Sequence, residues 1–183
     1  MNGSHEWHIT TTDFGKLKIL IVDDEPANVA LLEGILSENG YNRIRSITDS
    51  RLALDACNTF EPDLILLDWL MPHVDGISLL GQVRAINRDI YLPVIVLTAD
   101  TNEETKLNAL WAGATDFLLK PFDQIEVLLR IRNVLETRRL YLLLDNQRAA
   151  FEDAVRARTS ELREIQSQMD RTARPTDPTE ITH

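Results

Sequence analysis

The sequence predicts an α/β fold, a doubly wound five-stranded parallel sheet with a long C-terminal helical extension. Three observations lead there. Runs such as Leu64 to Leu67 in "DLILLD" are solidly apolar, as strands buried on both faces are. Strand-like and helix-like segments alternate five times within roughly 120 residues, and parallel neighbours need crossover helices. Charged or hydroxyl residues end most of these strands, where open α/β sheets gather their ligand sites.

The elements follow in order. "KLKILIVDDE" is a buried strand, and "PANVALLEGILSEN" behind it places Val29, Leu32, Ile35 and Leu36 at helical spacing. Gly40 then stands where a helix C-terminus takes a left-handed residue. "NRIRSIT" is a short second strand, and "DSRLALDACNTF" a helix opening on an Asp or Ser cap. "DLILLD" is the third strand, followed by the helix "GISLLGQVRAIN", the strand "LPVIVLT" and the helix "NEETKLNALWAG". "TDFLLK" and "DQIEVLLRIRNVLE" supply the fifth strand and helix.

Past Glu136 the period changes. With Tyr141, Arg148, Val155, Leu162 and Met169 at heptad position a, Leu144, Phe151, Arg158 and Ile165 fall at d, and seven of nine seam positions are apolar. A coiled-coil helix continuous with the fifth helix is expected, the alternative being a helix that packs back on its own domain. The organisation is therefore an N-terminal arm at 1–15, a compact domain at 16–136, a coiled-coil helix at 137–170 and a disordered Pro- and Thr-rich tail at 171–183.

Composition narrows the partners. A net charge of −10 argues against a large sequence-independent nucleic-acid surface, which rests on Lys and Arg neutralising phosphates. A single cysteine, Cys57, excludes an intramolecular disulfide framework, and its apolar helical neighbours suggest a buried, inert thiol. No apolar run reaches the length of a membrane span, and the N-terminus lacks a signal peptide's pattern, so a cytoplasmic protein is expected. His5 and His8 would reach one metal ion only if the arm were helical; two surface histidines are the simpler reading.

The strand ends carry the chemistry. Strand one ends at Asp23 and Asp24, strand three at Asp68, strand four at Thr98, and strand five at Lys120 before Pro121. Three carboxylates at such close quarters repel unless a cation sits among them. An all-oxygen pocket open to water suits Mg²⁺. A carboxylate is also a nucleophile toward phosphorus, which makes Asp68 the candidate acceptor, with the metal and Lys120 stabilising phosphoryl charge.

"ILIVDDEP", "LILLDWLMPHVDG", "VIVLTA" and "GATDFLLKPF", in this order, resemble the receiver domain of two-component response regulators over about residues 16 to 135. The resemblance implies a flavodoxin-like fold. It also implies Asp68 as phospho-acceptor, Asp23 and Asp24 as the acidic pair holding Mg²⁺ and the Leu70 backbone carbonyl as a further metal ligand. Lys120 would pair with the phosphoryl group, Thr98 would donate a hydrogen bond to it, and Phe117 would be the switch aromatic. Lys120-Pro121 resembles the family's cis bond. The implied partner is a sensor histidine kinase or phosphotransfer protein, and the C-terminal helix suggests a homodimer.

Rival readings fare worse. A dinucleotide-binding domain needs a glycine-rich turn after strand one, where "VDDEPAN" puts carboxylates. A haloacid-dehalogenase-like phosphohydrolase resembles Asp-x-Asp at the nucleophile, and here Leu70 occupies the acid–base position. Slow self-transfer and slow hydrolysis then suit a switch better than an enzyme. A phosphorylation-independent adaptor is the remaining alternative. "VRARTSELREIQ" resembles signalling helices that lead from receivers to enzymatic outputs such as cyclic-di-GMP enzymes or phosphatases.

Overall fold

The computed structural model describes residues 14–86 and 91–172, so His5, His8 and the tail beyond Thr172 lie outside the described residues. The chain divides into two compact units between Arg139 and Leu140. After a short 3-10 turn at Phe14–Lys16, the strands are β1 (Lys18–Val22), β2 (Arg43–Ile47), β3 (Leu64–Asp68), β4 (Val94–Thr98) and β5 (Asp116–Leu119). The helices are α1 (Pro26–Glu38), α2 (Ala53–Phe60), α3 (Gly76–Ile86), α4 (Glu103–Trp111) and α5 (Gln124–Thr172). All the pairings are parallel, and the sheet order is β2-β1-β3-β4-β5.

The strand period of two sorts the core into two layers. Ile19, Ile21, Leu64, Leu66, Ile95, Leu97 and Leu118 face Leu32 and Leu36 of α1 and Val127, Ile131 and Leu135 of α5. The intervening Leu20, Val22, Ile65, Leu67, Val94 and Val96 face residues of α2, α3 and α4, including Ala53, Leu80, Val83 and Ala109. This is why β3 and β4 read as unbroken apolar runs: every one of their residues is buried. Cys57 is buried in the second layer, and burial pushes its thiol pKa up, as an inert cysteine's should be.

Local caps set the element ends. Gly40 takes φ +85°, with its N–H donating to Ser37 O and that of Tyr41 to Leu36 O, so α1 closes in a Schellman turn. Asn102 Oδ1 accepts from Glu104 N at 3.1 Å to start α4, and Asp123 Oδ1 accepts from Glu126 N at 2.9 Å to start α5. One expectation needs correction. Asp49 caps a 3-10 turn at Ser50–Leu52 through Arg51 N, and α2 begins only at Ala53. The cap serves the turn because Asp49 Oδ1 accepts from the amide two residues on, Arg51 N, which lies inside the 3-10 segment.

The second unit is the continuation of α5 beyond Arg139. Its seam residues Tyr141, Leu144, Phe151, Val155, Leu162, Ile165 and Met169 are all exposed. Arg148 pairs with Glu152 at 2.8 Å and Arg158 with Glu161 at 2.6 Å along the same helix. No helix among the described residues is long and apolar enough to cross a membrane.

Candidate functional site

Strand register brings the expected residues level. Val22 pairs with Leu67, Asp68 with Leu97 and Thr98 with Leu119, so Asp23, Asp68, Thr98 and Lys120 leave the sheet along one edge. Asp23 is fully buried. Its Oδ1 accepts from Glu25 N at 3.0 Å and Asn28 Nδ2 at 3.1 Å, and its Oδ2 accepts from Lys120 Nζ at 2.8 Å. Lys120 Nζ also lies 2.9 Å from Asp68 Oδ1, so one ammonium bridges two carboxylates from neighbouring strands. The Lys120-Pro121 bond is cis.

Oxygens of Asp23, Asp24 and Asp68 all lie within 4.8 Å of one another. At such separations a like pair repels by about 3 kcal/mol even at an effective dielectric constant of ~20. Three carboxylates against one ammonium leave two uncompensated negative charges in a mostly buried space. The consequence appears on Asp68, whose pKa is raised. Burial is the main cause, and the charges of Asp23 and Asp24 add to it against the opposing pull of Lys120. Burial alone would depress Lys120; its hydrogen bonds to Asp23 and Asp68 together outweigh that, and its pKa is raised. This all-oxygen donor set with a surplus of two negative charges fits a hard divalent cation.

Thr98 is buried, and its hydroxyl accepts from Asp100 N at 3.0 Å, leaving the hydroxyl proton for an acceptor. Asp100 is itself held by Asn102 N at 2.8 Å and the Thr105 hydroxyl at 2.6 Å. Leu70 is 68% exposed beside the acceptor strand. Phe117 lies outside the carboxylate cluster, its half-buried ring between Lys106 Nζ at 5.2 Å and the Arg130 guanidinium at 5.7 Å. Arg130 is pinned in turn by Asp116 and Glu126, each at 2.8 Å.

Asn28 is the site residue that pattern reading missed. Its amide bridges the two Asp23 oxygens at 3.1 and 3.2 Å and so orients the carboxylate. Its place in the first turn behind "DDEP" was the available signal, but an asparagine there reads equally as a surface residue.

The family model described as "Response regulator receiver domain" matches residues 19–132. The chain belongs to the response regulator receiver family. The receiver is similar to the alkaline phosphatase synthesis transcriptional regulatory protein PhoP of Bacillus subtilis, 40% identical over 118 residues covering 64% of this chain and 48% of that protein. A probable cyclic di-GMP phosphodiesterase of Vibrio cholerae is 31% identical over 160 residues, 87% of this chain and 36% of that protein, a match that reaches past the receiver. Among solved structures, a putative response regulator from Chloroflexus aurantiacus superposes with a TM-score of 0.62 at 34% identity, covering 66% of this chain and 98% of that one. The chain spans about half or less of the length of these curated relatives.

Proposed function

We propose that this receiver is a phosphorylation switch in which Asp68 accepts a phosphoryl group from a sensor histidine kinase or phosphotransfer protein. The observation that carries the reading is Asp68 at a strand end with Lys120 Nζ 2.9 Å away and two further carboxylates beside it. An Asp68 oxygen attacks phosphorus, the phosphorus–nitrogen bond of the phosphohistidine breaks, and the imidazole departs with that electron pair, leaving an aspartyl phosphate. Asp23, Asp24, Asp68 and the Leu70 carbonyl would hold Mg²⁺, which supplies positive charge for the phosphoryl oxygens when bound. Lys120 exchanges its bond to the Asp68 carboxylate for one to a phosphoryl oxygen, and Thr98 donates its free proton to another.

Turnover stays slow in this reading. The chain offers apolar Leu70 where a phosphohydrolase would hold its acid–base carboxylate, so self-phosphorylation and self-dephosphorylation are the only chemistry of the receiver. Phosphorylation is relayed through Thr98 and Phe117 to the face made by α4, β5 and α5, where Leu107, Leu110 and Trp111 are exposed. The exposed heptad seam from Tyr141 to Met169 supports a parallel homodimer as receiver of that signal. The domains are then a receiver at 16–136 and a coiled coil at 137–170, acting in the cytoplasm without direct nucleic-acid contact. The similarity to a probable cyclic di-GMP phosphodiesterase supports an enzymatic output joined through this helix.

Incubation with acetyl phosphate and Mg²⁺, followed by intact-mass measurement, tests the acceptor. A single phosphoryl adduct that disappears in Asp68→Asn or in EDTA is expected. Undiminished labelling of Asp68→Asn would overturn the assignment.

A further inference from the structure

The loop between β3 and α3, residues 69–75, leaves directly from Asp68 and contains an unusual turn. His73 has φ +72°, a conformation that residues other than glycine adopt rarely. Val74 N donates to Pro72 O at 3.0 Å across it, which makes this a γ-turn of the rare, strained hand. A buried side chain from elsewhere closes the ring. Ser50 is 3% exposed, and its hydroxyl donates to Pro72 O at 2.7 Å and accepts from Val74 N at 3.1 Å. Ser50 therefore grips the residues on both sides of His73 from a turn more than 20 positions earlier in the chain, a separation of 22 residues from Pro72.

The far end of the loop is tied back to the acceptor strand. Gly76 N donates to Trp69 O at 3.1 Å, and a Cβ on Gly76 would stand 2.4 Å from Asp68 O. The loop thus has its ends pressed on Asp68 and Trp69 and its middle held by one hydroxyl. Ser50 is in turn presented by Asp49, whose Oδ1 accepts from Arg51 N at 3.0 Å.

We propose that Ser50 is a positioning residue for the Asp68 site: its hydroxyl holds the His73 turn and, through it, the shape of the loop bordering the acceptor carboxylate. The inference rests on the reading of Asp68 as phosphoryl acceptor and of the loop carbonyl at Leu70 as a metal ligand. Without the hydroxyl the strained turn relaxes, and the loop is no longer pre-arranged for the cation.

The test uses the full chain with Trp7 and Trp111 replaced by Phe, so that Trp69 beside the acceptor is the only tryptophan. Hydrogen exchange at the Val74 amide is measured by NMR without metal, and Mg²⁺ affinity is measured by Trp69 fluorescence. Ser50→Ala should speed Val74 exchange and weaken Mg²⁺ binding, each by about tenfold, as the loss of such buried bonds implies. Ser50→Thr, which keeps the hydroxyl, should restore both. Ser50→Cys, a weaker donor and acceptor of similar shape, should fall between and serves if the alanine variant does not fold. Thr115→Ala removes a comparable bond, Val94 N to the Thr115 hydroxyl at 3.1 Å, at the opposite end of the sheet and should change neither readout. Wild-type Mg²⁺ affinity in Ser50→Ala, or an equal loss in Thr115→Ala, overturns the proposal. Acetyl phosphate labelling of the wild-type chain separates the two readings, because an unlabelled Asp68 would remove the acceptor role and leave the Val74 exchange result standing.

Discussion

Replacing Lys120 by Met removes the ammonium that bridges Asp23 and Asp68 while keeping most of the side chain's volume. Deleting one partner of a buried ion pair costs about 3–5 kcal/mol, because the other charge is stranded. Three features of this site lower that figure. The Lys120 side chain is 18% exposed, so water screens part of the interaction. Asp23 keeps its bonds from Glu25 N and the Asn28 amide. Asp68 loses the Lys120 hydrogen bond and charge that hold its pKa down, so its carboxyl shifts further toward the neutral form and the stranded charge is eased. A loss of about 2–3 kcal/mol is therefore expected in the metal-free protein at neutral pH, equivalent to a melting point lower by roughly 8–12 °C. Urea unfolding in EDTA measures it, and Asp23→Asn in the same chain should recover much of the loss by removing the stranded charge. A Lys120→Met protein within about 0.5 kcal/mol of wild type, or a double variant less stable than the single, would show that the bridge carries little energy and that the reasoning is wrong.

Three further perturbations follow from other parts of the molecule. Gly76→Ala places a Cβ against backbone at 2.4 Å from Asp68 O and 2.9 Å from Trp69 Cα, so the loop must shift; a stability loss of about 1–3 kcal/mol, read by urea unfolding, should accompany slower acetyl phosphate labelling. Leu162→Asp puts a charge in the heptad seam and should turn a light-scattering dimer into a monomer, whereas a wild-type chain that is monomeric at high micromolar concentration removes the coiled-coil reading. Asp49 titrates at about 2, held below its ordinary 3.8 chiefly by the side-chain hydrogen bond from Arg51. A carboxyl depressed in the folded state stabilises above its unfolded pKa and loses that effect as pH falls through the folded value. The melting difference between wild type and Asp49→Asn should thus be constant above about pH 5 and close as pH drops from 3.8 toward 2.

Features that depend on near neighbours are legible in the chain alone. Leu64 to Leu67, bounded by Asp63 and Asp68 and too short for a helix, read as a strand covered on both faces, since no alternation offers a wet side, and all four are buried. Val29, Leu32, Ile35 and Leu36 present one stripe of a helix, and Gly40 ends it in the left-handed region, because these constraints act within a turn or two of chain. The acidic ends of β1 and β3 were likewise legible, as a carboxylate after an apolar strand has nowhere to go but the sheet's edge. Tertiary structure decided who meets whom. Lys120 reaches Asp23 across 97 residues only because β5, β4, β3 and β1 stand side by side in a register that no local pattern encodes. Asn28 and Ser50 are ordinary polar residues in their own segments. They become part of the site because buried donors and acceptors must be satisfied, and the groups left to satisfy here, the Asp23 oxygens and the backbone around His73, are supplied by distant strands and loops.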